Sequence, residues 1–355
     1  MPLSPSIETL LHGVHRNFIW MILGSYLFAA LFPAFGLWIR QVDFGSFVLI
    51  HNEIDLSLPP VMLSLLLFNA GLAVKSKDLA HLAQKPLVML SGLSGNVAMP
   101  LVFIVGLSFA LKAWHNPDEV QQILVGLALL ASMPIAGAST AWAQNASGNL
   151  ALSLGLVLIT TFLSPLFTPL VLHAVGFVTT GDYSEDLHEI AADGVMSFLG
   201  LWVILPSLLG LGLRHVIGDP LFTAAKSSIK LINYGILLVL NYSNASLSLP
   251  KAFGAPDLDF LFVTLAIVVT LCMVAFATGY LIARLFNANR GDMASLMFGL
   301  GMNNNGTGLV LVSVALADHP EVMLPIILYN LVQHLIASLI DRVLFQRGRE
   351  ACQSA

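Results

Sequence analysis

Long uninterrupted runs of apolar residues constrain the fold of this sequence more than any other feature. The stretch 258–285, LDFLFVTLAIVVTLCMVAFATGYLIARL, is one of ten such runs. Each is roughly 20 residues long, enough to cross a bilayer as a helix, and none alternates over about ten residues as a barrel strand does. Only 10% of the 355 residues are charged and 57% are hydrophobic. Soluble domains carry about a quarter charged residues, so the sequence predicts an all-α polytopic membrane protein.

The positions of Lys and Arg predict how these runs are oriented. The predicted spans are 18–39, 56–74, 86–111, 121–146, 149–175, 194–217, 228–247, 258–285, 294–317 and 322–345. An even number of spans places both termini on one side of the membrane. Of the 15 Lys and Arg residues, all but Arg40, Lys112 and Lys251 fall on that side. The positive-inside rule therefore predicts an inner (plasma) membrane protein with both termini in the cytoplasm.

Charge and cysteine content argue against several other classes of protein. The net charge of −5 gives no reason to expect a nucleic-acid partner. With two cysteines, Cys272 and Cys352, neither a disulfide framework nor a CxxC-type metal site is expected. The first residues lack the charged and apolar regions of a signal peptide. The predicted partners are the lipid bilayer and a transported solute, for which a family resemblance given below implies a small organic anion, and the sequence does not determine the oligomeric state.

The middle of the chain divides the predicted spans into two equal groups. The longest outer connection, 181–193 (GDYSEDLHEIAAD), carries acidic charge only and lies near the midpoint. We therefore expect two repeats, residues 1–180 and 181–355, of five spans each. Because each repeat has an odd number of spans, the two must have opposite orientations in the membrane. This is the inverted-repeat architecture of many secondary transporters.

The fourth span of each repeat is interrupted by helix-breaking residues. Pro134 and Gly137 lie within 121–146, and Asn303–Asn305 lie among four glycines within 294–317. Irregular backbone inside a membrane survives only when it is buried in protein or lines a wet cavity. Half-helix N-termini attract anions, whereas freed carbonyls and Asn, Ser and Thr oxygens suit a small cation. Paired breaks at corresponding positions predict a transporter's binding site.

The residues around these breaks resemble the bile acid:sodium symporter family. In the first break the residues that match at the family's spacing are Pro134, Ser139, Gly148-Asn149, Ala151-Leu152-Ser153, Ser164-Pro165 and Thr168-Pro169. In the second, GMNNNGTGL at 301–309 resembles the family's glycine–methionine–glutamine–asparagine–serine–glycine–leucine. Weaker similarities extend the resemblance over nearly the whole chain.

The resemblance implies a fold and a function. The fold is ten transmembrane helices in two inverted five-helix repeats, with helices 4 and 9 broken and crossing at their breaks. Helices 1, 2, 6 and 7 form a panel domain, and helices 3–5 and 8–10 form a core domain. The implied function is secondary active transport of a small organic anion by alternating access, coupled to sodium.

The same resemblance implies a set of binding residues. Those expected to hold sodium are Ser139, Thr140, Ser153, Asn303 and Asn96, with backbone oxygens near Gly299, Leu300 and Met302. Those expected to face the substrate are Gly137, Ala138, Asn304, Asn305 and His334.

Two departures from the family leave alternative functions open. Gly299 stands where the family has a glutamate shared by its sodium sites, and Val157 stands where a hydroxyl is expected. A proton-coupled or uncoupled carrier, or an exporter, of the same fold is therefore the alternative. A remoter one is an intramembrane serine protease that uses Ser94, in GLSG, with His334. Close helix packing through small residues is the simpler explanation of GLSG.

Overall fold

The computed structural model describes residues 5–49, 52–74, 85–254 and 256–346. Apart from one antiparallel hairpin, β1 (Asp43–Leu49) with β2 (Asn52–Ser57), its regular structure is helical. Four of the basic residues that predicted the orientation lie outside the described residues, namely Lys75, Lys77, Arg347 and Arg349.

The helices are named here in chain order. They are α1 (Pro5–Leu31), α2 (Pro33–Gln41), α3 (Leu58–Ala73), α4 (Pro86–Ala110), α5 (Pro117–Ser132), α6 (Ala138–Asn145), α7 (Leu150–Gly176), α8 (Asp182–Glu189), α9 (Val195–Leu199), α10 (Leu205–Gly254), α11 (Leu258–Leu285), α12 (Arg290–Gly301), α13 (Asn305–Ala315) and α14 (Met323–Ile340). Short 3₁₀ or π-helical turns adjoin α4, α8, α9, α10 and α14.

The chain forms two compact units. The first consists of 1–76, 198–257 and 309–323, and so contains α1–α3, the hairpin, α10 and the end of α13. The second consists of 77–197, 258–308 and 324–355, with α4–α8, α11, α12, the start of α13 and α14.

Some of the helices are long and apolar enough to cross a membrane. By length and composition they are Pro86–Ala113, Leu150–Gly176, Val195–Gly218, Leu258–Leu285 and Pro320–Gln346. A bent pair, Asn17–Leu31 with Pro33–Gln41, gives a sixth candidate among the described residues. The other predicted spans coincide with the short α3, with part of the long α10, and with the divided pairs α5–α6 and α12–α13.

The first predicted span, 18–39, is not one straight helix. The chain bends by 91° between α1 and α2. Pro33 has no backbone N–H to continue the helix, and Phe32 has a non-helical conformation at φ −130° and ψ 64°. In the same way, α10 is interrupted at Gly218, whose φ of 70° favours glycine. The predicted outer connection 181–193 contains α8 and a π-helical turn.

The long helices present apolar side chains outward. On α11, Phe262 is 75% exposed and Leu281 is 63% exposed, while Cys272 and Val268 on the same helix are fully buried. A helix that is apolar on its exposed face as well as its buried face is typical of a membrane span.

In the first unit, glycines bring α3 and α10 into close contact. A Cβ atom added to Gly71 would lie 2.0 Å from the Ser207 carbonyl oxygen, and one added to Gly210 would lie 2.0 Å from that of Phe68. Such small residues allow membrane helices to approach at their backbones.

Arg40, counted above as an outer-side charge, is half-buried in the same unit. Its guanidinium donates to Asn244 Oδ1 and to the Ser313 carbonyl, both at 2.8 Å. Ser313 lies in the last turn of α13, where carbonyls lack helical partners, so Arg40 stabilises that helix end.

In the second unit, a buried carboxylate joins the starts of three helices, α4, α7 and α12. The side chain of Asp292, in the first turn of α12, is fully buried and forms an ion pair with Lys85. Asn149 donates from Nδ2 to Asp292 at 2.7 Å, and its Oδ1 caps α7 by accepting from Leu152 N at 3.2 Å. Asn289 caps α12 in the same manner, accepting from Asp292 N at 2.8 Å.

Candidate ion and substrate site at the two helix breaks

Two helix interruptions meet in the second unit. The segment 133–137 separates α5 from α6, and 302–304 separates α12 from α13. Ile135 and Asn303 form an isolated antiparallel bridge between them. Its hydrogen bonds run from Ala136 N to the Met302 carbonyl and from Asn304 N to the Pro134 carbonyl, both at 2.9 Å.

Side chains from neighbouring helices form hydrogen bonds with other backbone groups that have no helical partner. Ile135 N donates to Thr160 Oγ1 at 3.1 Å, and Asn303 N donates to Gln333 Oε1 at 3.0 Å. Asn303 also donates from its side chain to the Leu130 carbonyl at 3.2 Å. Protein groups therefore replace water around backbone that has left the helix, as an apolar environment requires.

Several polar atoms near the breaks have no hydrogen-bond partner although they are buried. They are Ser139 Oγ, both side-chain amide atoms of Asn305, and Thr307 Oγ1. Ser139 and Thr307 are fully buried, and Asn305 is 1% exposed. An unsatisfied buried polar group costs about 1–3 kcal/mol. Such atoms are expected where an ion, a water molecule or a substrate supplies the missing partner.

The residues predicted to hold sodium are placed as follows. Ser153 donates to Thr140 at 3.1 Å between their hydroxyl oxygens, which brings these two together. The Met302 carbonyl already accepts a backbone bond, and Leu300 packs its side chain in an apolar cluster with Leu152 and Leu156. At Gly299, an added Cβ would meet Leu156 Cδ1 at 3.3 Å. The atoms nearest to a side chain at the position of the family's glutamate therefore belong to the aliphatic residues Leu156 and Ile135.

Asn96 belongs to a separate group. Its side chain lines a small cavity with Ser132, Thr160 and Ser164, beside the first break. Ser139, Thr140 and Ser153 do not line that cavity.

The residues predicted to face substrate differ in accessibility. Gly137 and Ala138, at the start of α6, are exposed, and Asn304 is half-buried with its Oδ1 accepting from Thr307 N at 3.4 Å. Asn305 is buried, and its side-chain amide has no hydrogen-bond partner. His334 on α14 is half-buried, and within the described part of the chain it makes no hydrogen bond.

Sequence reasoning missed Gln333. It is 2% exposed and holds Asn303, while its Nε2 donates to Asn330 at 3.4 Å. The two amides lie three residues apart in span ten, a spacing that places them on one helix face. That pairing was the available signal, whereas the family resemblance indicated His334, which lies one residue further along the helix.

Ser94 lies on the exposed face of α4, and no hydrogen bond among the described residues joins it to His334. Gly92 and Gly95 of the same motif instead contact leucine and isoleucine side chains of neighbouring helices. The packing explanation of GLSG agrees with these contacts.

Apolar helices with outward-facing apolar side chains, together with two bridged helix interruptions that leave buried polar atoms unpartnered, define a multi-pass membrane protein with an internal polar site. The sequence model of the SBF-like CPA transporter family matches residues 16–346. The chain belongs to this family and is a membrane transporter. The resemblance to bile acid:sodium symporters is confirmed at the level of the family.

Two relatives from Bacillus subtilis (strain 168) are similar over most of their length. Uncharacterized protein YbaS is 26% identical over 289 residues, which is 80% of this chain and 88% of YbaS. Uncharacterized sodium-dependent transporter YocS is 23% identical over 308 residues, which is 84% of this chain and 89% of YocS.

Proposed function

We propose that this protein carries a small organic anion across the membrane together with sodium, by alternating access. The unpartnered Ser139 hydroxyl, beside the bonded pair Thr140 and Ser153, carries the proposal. The name of the relative YocS, a sodium-dependent transporter, supports the choice of ion. Sodium is here a transported substrate, and these neutral oxygens are the hard ligands that such an ion accepts.

The proposed topology has ten spans in two inverted repeats of five, residues 1–180 and 181–355. In it α5 with α6, and α12 with α13, are the broken fourth and ninth spans, crossing at the bridge of Ile135 and Asn303. Both termini lie in the cytoplasm. Panel helices 1, 2, 6 and 7 and the remaining core helices move relative to each other during transport.

The helix ends at the breaks provide fields of both signs. The C-termini of α5 and α12 carry partial negative charge, which favours a cation. The N-termini of α6 and α13 carry partial positive charge, which favours an anion. Exposed Gly137 and Ala138 at the start of α6 are the proposed contact for the substrate's anionic group, with Asn304, Asn305 and His334 completing its site.

Coupling follows if the ion orders this region. Sodium between Ser139, Thr140, Ser153 and the second break would hold the backbone around 302–304 in the conformation that binds the anion. Each ligand then raises the affinity of the other by the same factor.

The proposal is tested by sodium-dependent stability of the purified protein. The midpoint of thermal unfolding should rise with NaCl and not with KCl at equal ionic strength, because an ion that binds only the folded state stabilises it. A saturating rise specific to sodium is expected, and an organic anion that is transported should increase it further. A response that is identical in the two salts would contradict sodium coupling.

The second candidate is a proton-coupled or uncoupled carrier, or an exporter, of the same fold. The aliphatic surroundings of Gly299 favour it, because the carboxylate that would attract sodium most strongly is absent there. Anion flux in proteoliposomes that follows a pH gradient, or the anion gradient alone, and ignores sodium would support this candidate.

A further inference from the structure

Two histidines face each other where α7 meets α8. The Nδ1 atom of His173, in the last turn of α7, lies 2.7 Å from the Nδ1 atom of His188, on α8. Their ring centroids are 4.4 Å apart, and the ring planes are inclined at 68°. His173 is exposed and His188 is half-buried, so the pair lies at the protein surface. Neither residue belongs to the proposed transport site.

The surrounding residues hold His188 in this position. A Cβ atom added to Gly176 would lie 2.7 Å from His188 Cε1, so the missing side chain at 176 lets the imidazole rest on α7. Leu187, the residue before His188, is fully buried and anchors α8. Ser184 Oγ donates to the Gly176 carbonyl at 2.7 Å, which ties the start of α8 to the end of α7. The packing of the two helices therefore fixes the approach of the imidazoles.

The distance between the two nitrogens suits a metal ion bound by both. When each imidazole carries its proton on Nε2, both Nδ1 atoms have a free lone pair and can bind the same ion. Zinc binds imidazole nitrogens at about 2.0–2.1 Å with tetrahedral angles, which places two such nitrogens about 3.3 Å apart. The two rings would therefore need to separate by only about 0.6 Å to hold an ion between them.

The charge around the pair favours a cation. Helix α8 carries four carboxylates, and residues 113–213 include no lysine or arginine. Acidic charge of this kind raises the local concentration of cations. Imidazole ligands then select zinc, nickel or copper over the hard cations that prefer oxygen. Within the described ranges no third histidine, cysteine or carboxylate joins the pair as a ligand, so water would complete the coordination.

We propose that His173 and His188 bind one divalent transition-metal ion, such as zinc, nickel or copper, through their Nδ1 atoms. The inference goes beyond the proposed transport of an anion and does not depend on it. Because the two ligands come from different helices, a bound ion joins the end of α7 to α8 and stabilises the connection between them.

The test is a calorimetric titration of zinc chloride into the full-length protein in lipid nanodiscs, prepared without a polyhistidine tag. It is run at about pH 7.5, because protons compete with the metal for imidazole nitrogen. Zinc should bind, and magnesium chloride should not compete with it, because magnesium prefers oxygen ligands. His188→Ala should lower the zinc affinity at least about tenfold, since even the loss of a residue that only supports a ligand costs that much. His215→Ala, at an exposed histidine on α10, is the matched control and should leave the affinity unchanged.

A second variant tests the geometry while it keeps both histidines. In Gly176→Ala the new Cβ would displace the His188 ring, so the zinc affinity should fall about tenfold. Gly194→Ala, where a Cβ meets nothing within 4 Å, should keep the affinity of the parent. Equal zinc affinity in the parent and in folded His188→Ala protein, or no zinc binding by the parent, would overturn the proposal. The two imidazoles would then do no more than share a hydrogen bond.

Discussion

Ile135 and Asn303 pair their backbones across two helix interruptions that are far apart in the sequence. The pairing fixes the break after α5 against the break after α12 through Ala136, Met302, Asn304 and Pro134. Polar side chains on both sides are then left buried without partners. Because this short bridge joins the two breaks, an ion that binds at one break can change the conformation of the other.

Ser139→Ala separates a binding role from a structural one. Because Ser139 Oγ has no partner, its removal should stabilise the sodium-free protein by about 1 kcal/mol or leave it unchanged. The rise in unfolding midpoint on adding sodium should be lost. Ser243→Ala is the control, since the fully buried Ser243 donates to the Leu240 carbonyl at 3.2 Å. It should keep the sodium response; a loss of stability without sodium in Ser139→Ala would indicate a structural role instead.

Gly299→Glu tests whether the position that lacks the family's carboxylate still adjoins a sodium site. The Cβ of the new side chain would meet the flexible end of Leu156 at 3.3 Å. In sodium-free solution we expect the variant to have a lower unfolding midpoint than the parent, because the buried glutamate carboxylate has no partner. Sodium should restore stability with an affinity about tenfold higher than in the parent. Equal restoration by potassium would argue that no sodium-selective site adjoins residue 299. Gly299→Ala controls for the steric effect alone.

Asp292→Asn should destabilise the second unit. Removing one partner of a buried ion pair costs about 3–5 kcal/mol, and a somewhat smaller loss is expected here because the Lys85 side chain is 41% exposed. Thermal unfolding in detergent at low and high salt measures it. Glu321→Gln is the comparison, since its pair with Lys251 is exposed and should contribute less than about 1 kcal/mol. Equal midpoints for the two variants would contradict the assignment of Asp292 as a structural residue.

Gly210→Ala and Gly212→Ala should have opposite effects, although both lie on α10. A Cβ at 210 collides with the Phe68 carbonyl, whereas one at 212 meets nothing within 4 Å. We expect Gly210→Ala to destabilise by more than about 2 kcal/mol through separation of α3 and α10. Gly212→Ala should stabilise by about 0.5–1 kcal/mol, because alanine favours the helix. Unfolding midpoints measured side by side decide the matter, and an equal, small effect of both would refute the close packing of these helices.

Strong local signals predicted part of this arrangement. The interruptions around Pro134 and around Asn303–Asn305 coincide with ends of helices, because proline and clustered glycine and asparagine act within one turn. The approach of Thr140 to Ser153 was implied only by family resemblance, and the structure brings them together. The bend at Pro33 was missed because hydropathy does not register a change of direction.

Side-chain grouping was harder to predict, because each residue along a helix turns its side chain by about 100°. Gln333 rather than its neighbour His334 therefore bonds the second break. Asn96, expected with the residues around Ser139, lines the cavity beside Ser164. A register error of one residue is enough to move a side chain from one group to another, and no periodic pattern in these uniformly apolar helices corrects it.

The most direct measurement of the central claim is uptake of organic anions into proteoliposomes under an inward sodium gradient, with an equal potassium gradient as control. A panel of small carboxylates and sulfonates serves as the probe, with Ser153→Ala as the site variant and Ser313→Ala as its control. We predict that at least one anion accumulates above its external concentration with sodium only, and that Ser153→Ala but not Ser313→Ala abolishes this. Accumulation that is equal with potassium, or that survives in Ser153→Ala, would contradict the account.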